Sequence, residues 1–339
     1  MLYDIARSLL FKMDAERAHG LAMDALEAMH TLGLAKPLLA GRIPSMPVRA
    51  MGLEFPNPVG LAAGLDKNAE HVDALADLGF GFLELGGVTP RPQPGNAKPR
   101  LFRVVEARAV INRFGFNSVG VEQFAQNLSR ARYKGILGVN LGKNLATPLE
   151  DAGKDYAASL ERVYQMVHFA TINVSSPNTK NLRQLQQAES LRPVLADMNG
   201  LRDRLAQQHG RRVALAVKIS PDLDDAELKG IAHIARDTGM DAVIAANTTT
   251  SRDGVAGLPN GDETGGLSGE PLRARATDVV GLLARELDGA IPVIGGGGIM
   301  NARDARDKLA AGATLVQIYS GMVYRGPGLA GEILRGLAG

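Results

Sequence analysis

From residue 48 onward, short apolar runs alternate with segments whose apolar residues recur at helical spacing. The runs cover residues 59–63, 81–85, 136–139, 171–174, 213–219, 242–245, 291–294 and 314–318. Amphipathic segments lie between most of them, for example residues 70–78, 156–167 and 226–238. The runs have the length and continuous apolarity of strands buried on both faces. Eight strand–helix units predict an α/β fold, a (β/α)8 TIM barrel rather than an open doubly wound sheet. Residues 97–120 form a long insertion after the second strand, a place where function often resides.

Residues 1–42 carry a different pattern and are read as a helical extension preceding a barrel of residues 43–339. Leu2, Ile5, Leu9, Leu10 and Met13 fall at helical spacing. Asp14 suits an N-cap, and Ala18, Leu21, Ala22, Ala25, Leu26 and Met29 form a second stripe that Gly33 and Pro37 end. Such an arm either packs on the barrel or lies against a membrane surface. Its five basic residues (Arg7, Lys12, Arg17, Lys36, Arg42) balance five acidic ones (Asp4, Asp14, Glu16, Asp24, Glu27), so any membrane contact is expected to be apolar.

Composition narrows the chemistry. The 339 residues suit a single barrel with additions, and a net charge of +2 gives no nucleic-acid footprint. There is no cysteine, which removes disulfides, thiolate metal sites and a cysteine nucleophile. The six histidines lack metal-ligand spacing, and no metal is expected. No apolar run approaches the ~20 residues of a spanning helix, and no signal peptide is expected.

In a barrel the active site lies at the carboxyl ends of the strands. Those ends are polar: Asp66, Lys67 and Asn68 after the first strand, then Asn140, Asn173, Lys218 and the 247–250 stretch. Residues 295–298 are four consecutive glycines. They expose backbone N–H groups to an anion, and the loops after the last two strands commonly hold phosphate. Lys67 and Lys218 either form a Schiff base or offset developing negative charge. Asn112, Asn140, Asn173, Asn178 and Asn247 favour a planar heterocycle with donors and acceptors. Asp66, a lone carboxylate, suits an N-cap. Around residue 171 a buried strand stops at Pro177 and presents Asn173, Ser175, Ser176 and Asn178.

Taken in order, these segments resemble the membrane-associated, quinone-reducing class of dihydroorotate dehydrogenases. The resemblance spans nearly the whole chain. It rests on Ala63-Gly-Leu-Asp-Lys67, Val88-Thr-Pro-Arg-Pro-Gln-Pro-Gly-Asn96, Asn112-Arg-Phe-Gly-Phe-Asn117, Asn173-Val-Ser-Ser-Pro-Asn178, Lys218-Ile-Ser-Pro221, Asn247-Thr-Thr249, Gly265-Gly-Leu-Ser-Gly269 and the four glycines. It implies oxidation of dihydroorotate to orotate in pyrimidine biosynthesis, with FMN as hydride acceptor and a quinone as second oxidant. FMN is expected on Ala63, Gly64, Leu65, Asp66, Lys67, Gly87, Asn140, Asn173, Lys218 and Ala246. Its phosphate is expected on Gly269, Gly298, Tyr319 and Ser320. Lys218 would stabilise negative charge on the reduced ring.

Dihydroorotate is expected on Lys67, Asn112, Arg113, Phe114, Gly115, Phe116, Asn173, Asn178, Asn247 and Thr248, with Ser176 as the base at C5. Soluble relatives use cysteine there, so serine and the helical arm together point to the quinone class. His19 and Arg103 would then lie near a quinone tunnel. Gly87 and Ala246 stand where relatives often carry hydroxyl residues. The resemblance also implies a monomer, peripheral on the cytoplasmic side of the cell membrane. The alternatives are a soluble flavin dehydrogenase using fumarate or NAD, and a flavin-free lyase or isomerase acting on a phosphorylated substrate.

Overall fold

The computed structural model describes residues 2–339; residue 1 of the arm, and the side chain expected at Leu2, lie outside the described part. Thirteen strands occur among the described residues. In chain order they are β1 (Val48–Ala50), β2 (Leu53–Phe55), β3 (Val59–Leu61), β4 (Phe82–Val88), β5 (Leu101–Val104), β6 (Ala109–Asn112), β7 (Ile136–Leu141), β8 (Phe169–Asn173), β9 (Ala214–Lys218), β10 (Ala242–Ala245), β11 (Gly266–Gly269), β12 (Val293–Gly296) and β13 (Leu315–Ile318). Eight of them, β3, β4, β7, β8, β9, β10, β12 and β13, close into a barrel, and every pairing in it is parallel. These are the eight runs read from the sequence.

The lower interior is filled by side chains. The hairpin of β1 and β2 brings Phe55 against Phe82, and Phe82 meets Phe169; both ring pairs are edge-on, at 5.2 and 6.0 Å between centroids. The large rings require missing side chains opposite them. A Cβ on Gly60 would lie 2.2 Å from the Phe82 ring, and one on Gly138 would lie 2.0 Å from Phe169. Glycine is therefore a packing residue here, and the close-packed floor leaves the upper barrel for polar groups.

Helices surround the barrel: α3 (Val72–Ala76), α4 (Val121–Arg130), α5 (Ala152–Val163), α6 (Ala188–His209), α7 (Asp225–Asp237), α8 (Arg273–Leu287), α9 (Ala302–Ala310), α10 (Ser320–Arg325) and α11 (Leu329–Ala338). The 97–120 insertion is ordered: its strands β5 and β6 form a hairpin, and β6 also pairs with β11. That antiparallel sheet sets Asn112 opposite both Leu101 and Gly266.

The arm comprises two helices, α1 (Leu2–Leu10) and α2 (Ala15–Thr31), and a π-helical turn at Lys36–Ala40. Asp14 caps the second helix by accepting the Arg17 N–H. The stripe of that helix differs from expectation: Ala18, Met23 and Leu26 are buried, whereas Leu21, Ala22 and Ala25 face outward. The helix is apolar on more than one face, and the barrel covers only the face carrying Met23. Gly33, with φ +69°, ends it, but Pro37 lies inside the following π turn rather than marking a stop. Arg100 forks the Glu16 carboxylate at 2.8 and 3.1 Å and so pins the arm to the insertion. Tyr3 donates to the Val323 carbonyl at 2.7 Å, and Arg335 to that of Ala40 at 2.8 Å. Ile5 (64% exposed), Leu9 (60%) and Leu38 (67%) remain uncovered. Among the described residues no helix is long and apolar enough to cross a membrane.

Gly138→Ala is expected to lower stability by about 1–3 kcal/mol through overpacking. Gly230→Ala, in α7 with nothing within 4 Å of the added carbon, should raise it by about 0.5–1 kcal/mol. Thermal melting of both variants checks the pair; an unchanged Gly138→Ala melt contradicts the packing account.

Candidate active site

The carboxyl ends of the barrel strands, the insertion and β11 surround one cavity, whose void out to its open mouth is about 1180 Å³. The expected phosphate residues Gly269, Gly298, Tyr319 and Ser320 line it together. So do Ala63, Gly64, Gly87, Asn140, Asn173, Lys218 and Ala246, expected around the ring. Lys67, Asn112, Phe114, Gly115, Phe116, Ser176, Asn178, Asn247 and Thr248, expected around the substrate, line it too. Residues brought from every part of the barrel thus meet in one space.

Three residues expected at the flavin or substrate do not line it, and neither do His19 and Arg103, which were expected near a quinone tunnel instead. Leu65 is buried in the hydrophobic core. Asp66 turns its carboxylate onto the N–H groups of Asn68, Glu70 and His71, closing the loop before α3 rather than capping the helix, whose N-cap position is His71. Arg113 points away, donating to Glu263 at 2.6 Å and stacking 4.4 Å from the Phe102 ring. Arg103 donates to the Leu10 and Met13 carbonyls and lies 4.7 Å from the Phe11 ring, tying the arm's turn to the insertion. His19 is half-buried on the second arm helix. Burial, with the Lys67 and His71 charges adding, pushes its imidazole down to about 4, so it is neutral at pH 7 and not an ordinary surface histidine.

The amides form one chain of hydrogen bonds. Asn247 Nδ2 donates to Ser175 Oγ (3.0 Å), and Ser175 Oγ to Asn173 Oδ1 (3.1 Å). Asn173 Nδ2 donates to Asn140 Oδ1, and Asn140 Nδ2 to Glu84 Oε1, both at 2.8 Å. Gln317 Nε2 donates to the other oxygen of Glu84 at 2.7 Å. Lys218 Nζ stands 3.9 Å from that oxygen. Glu84 and Gln317 were not singled out from the sequence, and Ser175 was named there without a role. A carboxylate in the middle of the apolar 81–85 run was a readable signal, because a charge is not buried without partners.

Lys67 donates to the Gly64 carbonyl at 2.9 Å and sits 3.8 Å over the Phe114 ring. Burial pushes its ammonium down to about 8, against the pull of Glu16 and Asp66 and with Arg100 adding to the fall. Asn178 Nδ2 donates to Asn112 Oδ1 at 3.1 Å, and the Asn178 N–H to Ser176 Oγ at 3.3 Å. Arg183 braces this end by donating to the carbonyls of Ser175 (3.1 Å) and Thr248 (3.0 Å) and to Asp222 (2.7 Å). A Cβ on Gly87 would meet the Phe116 ring at 2.7 Å, so the missing hydroxyl there is matched by an aromatic ring packed close. The Gly86–Gly87 and Ala245–Ala246 peptides are cis.

Two features point to a ligand. Gly296 has no positive φ, and a Cβ there would meet nothing nearer than 3.6 Å, so neither strain nor packing demands glycine; the added carbon would enter the cavity it lines. Thr248 Oγ1 is buried and has no protein partner, which is unusual for a buried hydroxyl. Among the described residues no cluster of histidines and carboxylates could hold a metal ion.

Known proteins resemble this chain along nearly its whole length. The family model described as dihydroorotate dehydrogenase matches residues 45–339. A dihydroorotate dehydrogenase (quinone) of Chromobacterium violaceum is 57% identical over 338 residues, covering 100% of this chain and 98% of the relative. One from Thiobacillus denitrificans is 55% identical over 338 residues, covering 100% of each chain. The crystal structure of DHODH in complex with ferulenol from Eimeria tenella superposes with a TM-score of 0.84 at 38% identity, covering 94% of this chain and 90% of that one. With the match extending from the barrel's first hairpin to its last helix, this chain belongs to the dihydroorotate dehydrogenase family.

Proposed function

We propose that the chain oxidises dihydroorotate to orotate, a step of pyrimidine biosynthesis, with FMN as the hydride acceptor and a membrane quinone as the final oxidant. The observation that carries this is the single cavity joining a glycine-and-hydroxyl cradle to an amide-lined space that ends on Ser176. The names of the relatives at 57% and 55% identity favour quinone over fumarate or NAD. Bound FMN would supply the redox chemistry, taking a hydride from the substrate and giving its electrons to the quinone.

The chain's own residues supply the rest. Gly269, Gly298, Tyr319 and Ser320 would hold the phosphate; Ser320 Oγ already donates to Ser268 Oγ at 2.8 Å, giving a neutral hydroxyl pair there. Ala63, Gly64, Asn140 and Asn173 would line the ring, and Lys218 would face its negative charge. Lys67 would take the substrate carboxylate, while Asn112, Asn178, Asn247 and the unpartnered Thr248 hydroxyl would bond its ring amides. The substrate must lose a proton at C5 and a hydride at C6. Ser176 Oγ would take the proton, passing its own to water, and the Asn178 N–H at 3.3 Å would stabilise the oxygen as charge develops on it. Serine is a weak base alone, so this donor and the exclusion of bulk water around a buried side chain both matter.

The uncovered Ile5, Leu9 and Leu38 support a peripheral membrane contact through the arm, beside His19 and Arg103. The balanced charge of the arm makes that contact apolar.

Three outcomes are expected. Ser176→Ala keeps its flavin but is reduced by dihydroorotate about 10²–10⁴-fold more slowly; unchanged stopped-flow reduction removes Ser176 as the base. With Lys67 titrating at about 8, kcat/KM for dihydroorotate falls as pH rises through that value, because the free enzyme then loses the cation. Lys67→Met lowers kcat/KM and abolishes that limb; a limb that persists assigns it to another group. Replacing Ile5 and Leu9 together by glutamate weakens binding to phosphatidylcholine vesicles by more than about tenfold; equal sedimentation with vesicles contradicts the membrane contact.

A further inference from the structure

Glu84 is fully buried in the middle of β4, under the cavity and outside its lining. A carboxylate taken out of water needs donors and a counter-charge. It has both: Asn140 Nδ2 and Gln317 Nε2 at 2.8 and 2.7 Å, the Ala63 N–H at 3.4 Å, and the Lys218 ammonium at 3.9 Å.

An ionised carboxylate only accepts hydrogen bonds. Asn140 must therefore turn its NH2 to Glu84, which turns its carbonyl oxygen to Asn173. Asn173 must then offer its NH2 to Asn140 and its oxygen to the Ser175 hydroxyl. That hydroxyl, its proton committed, accepts from the Asn247 NH2. One charge thus sets the direction of amides on β4's neighbour β7, on β8 beyond it and on the loop after β10. A carboxamide NH2 has two donors. The chain uses one on each asparagine and leaves the second for a ligand.

The same carboxylate acts on Lys218. A lone cation beside the flavin would favour the charge gained on reduction more strongly than a cation paired with a carboxylate, whereas the cofactor must also be reoxidised. Resting on the FMN reading above, we propose that Glu84 is a positioning residue. It orients the asparagine amides and moderates the Lys218 charge, and so sets how readily the bound flavin is reduced.

The test is the flavin midpoint potential of the holoenzyme, read spectroscopically against reference dyes. Glu84→Gln keeps the shape and removes the charge. The inference expects its potential to rise by a tenfold or greater change in the reduction equilibrium, about 30 mV for a two-electron couple. Gln317→Leu removes a neutral donor while the charge stays, leaves the carboxylate less screened, and should shift the potential downward. A Glu84→Gln protein that holds flavin at an unchanged or lower potential overturns the inference, since a purely structural role would not move the potential upward. If Glu84→Gln fails to hold flavin, Gln317→Leu decides: a lowered potential supports the inference and an unchanged or raised one overturns it. Wild-type protein without flavin would instead refute the functional reading itself, and the inference with it.

Discussion

Barrel closure is the constraint on which the rest depends. Eight parallel strands must fill the space they enclose, and this chain fills the lower half with the rings of Phe55, Phe82 and Phe169 set against Gly60 and Gly138. Because that floor is closed, polar residues at the strand ends have only one another, or a ligand, to satisfy them. Most satisfy one another. Five buried side-chain atoms among the described residues lack a partner, and the one that lines the cavity, the Thr248 hydroxyl, lies where a ligand would supply it.

A buried charge orders this polar layer. Neutral amides alone could adopt either orientation, and a cavity walled by them would present an undefined mixture of donors and acceptors. Glu84 removes that freedom from below, and Arg183 holds the backbone of the two outer loops from the side. The cavity is therefore organised before any ligand arrives, which is what recognition of a planar heterocycle with fixed donors and acceptors requires. The arm connects to the same layer. Glu16 holds Arg100, whose guanidinium lies 5.3 Å from the Phe114 ring, and Lys67 covers that ring at 3.8 Å.

The eight strands were legible in the sequence because burial on both faces leaves continuous apolar runs. The site residues at their carboxyl ends were legible for the same reason: polarity interrupts each run abruptly. What could not be read depends on distant partners. The sheet that pairs Asn112 with Gly266 spans more than 150 residues of chain, and no local pattern announces it. Ser175 was read only as one of the polar groups at the strand end, yet its hydroxyl links Asn173 to Asn247, a job visible only once β8 and the loop after β10 are side by side. Arg113 belongs to a motif at the cavity's edge, but its side chain found Glu263 on the far loop. In the arm, several apolar stripes competed, and the barrel selected the face with Met23, leaving Leu21 outside.

The central claim is that this cavity holds a flavin which dihydroorotate reduces and a quinone reoxidises. Anaerobic absorbance spectroscopy of the gently purified protein tests it most directly. The account predicts a flavin spectrum that bleaches on adding dihydroorotate and returns on adding a water-soluble quinone. A colourless protein, or a flavin band that dihydroorotate leaves unchanged, would contradict it.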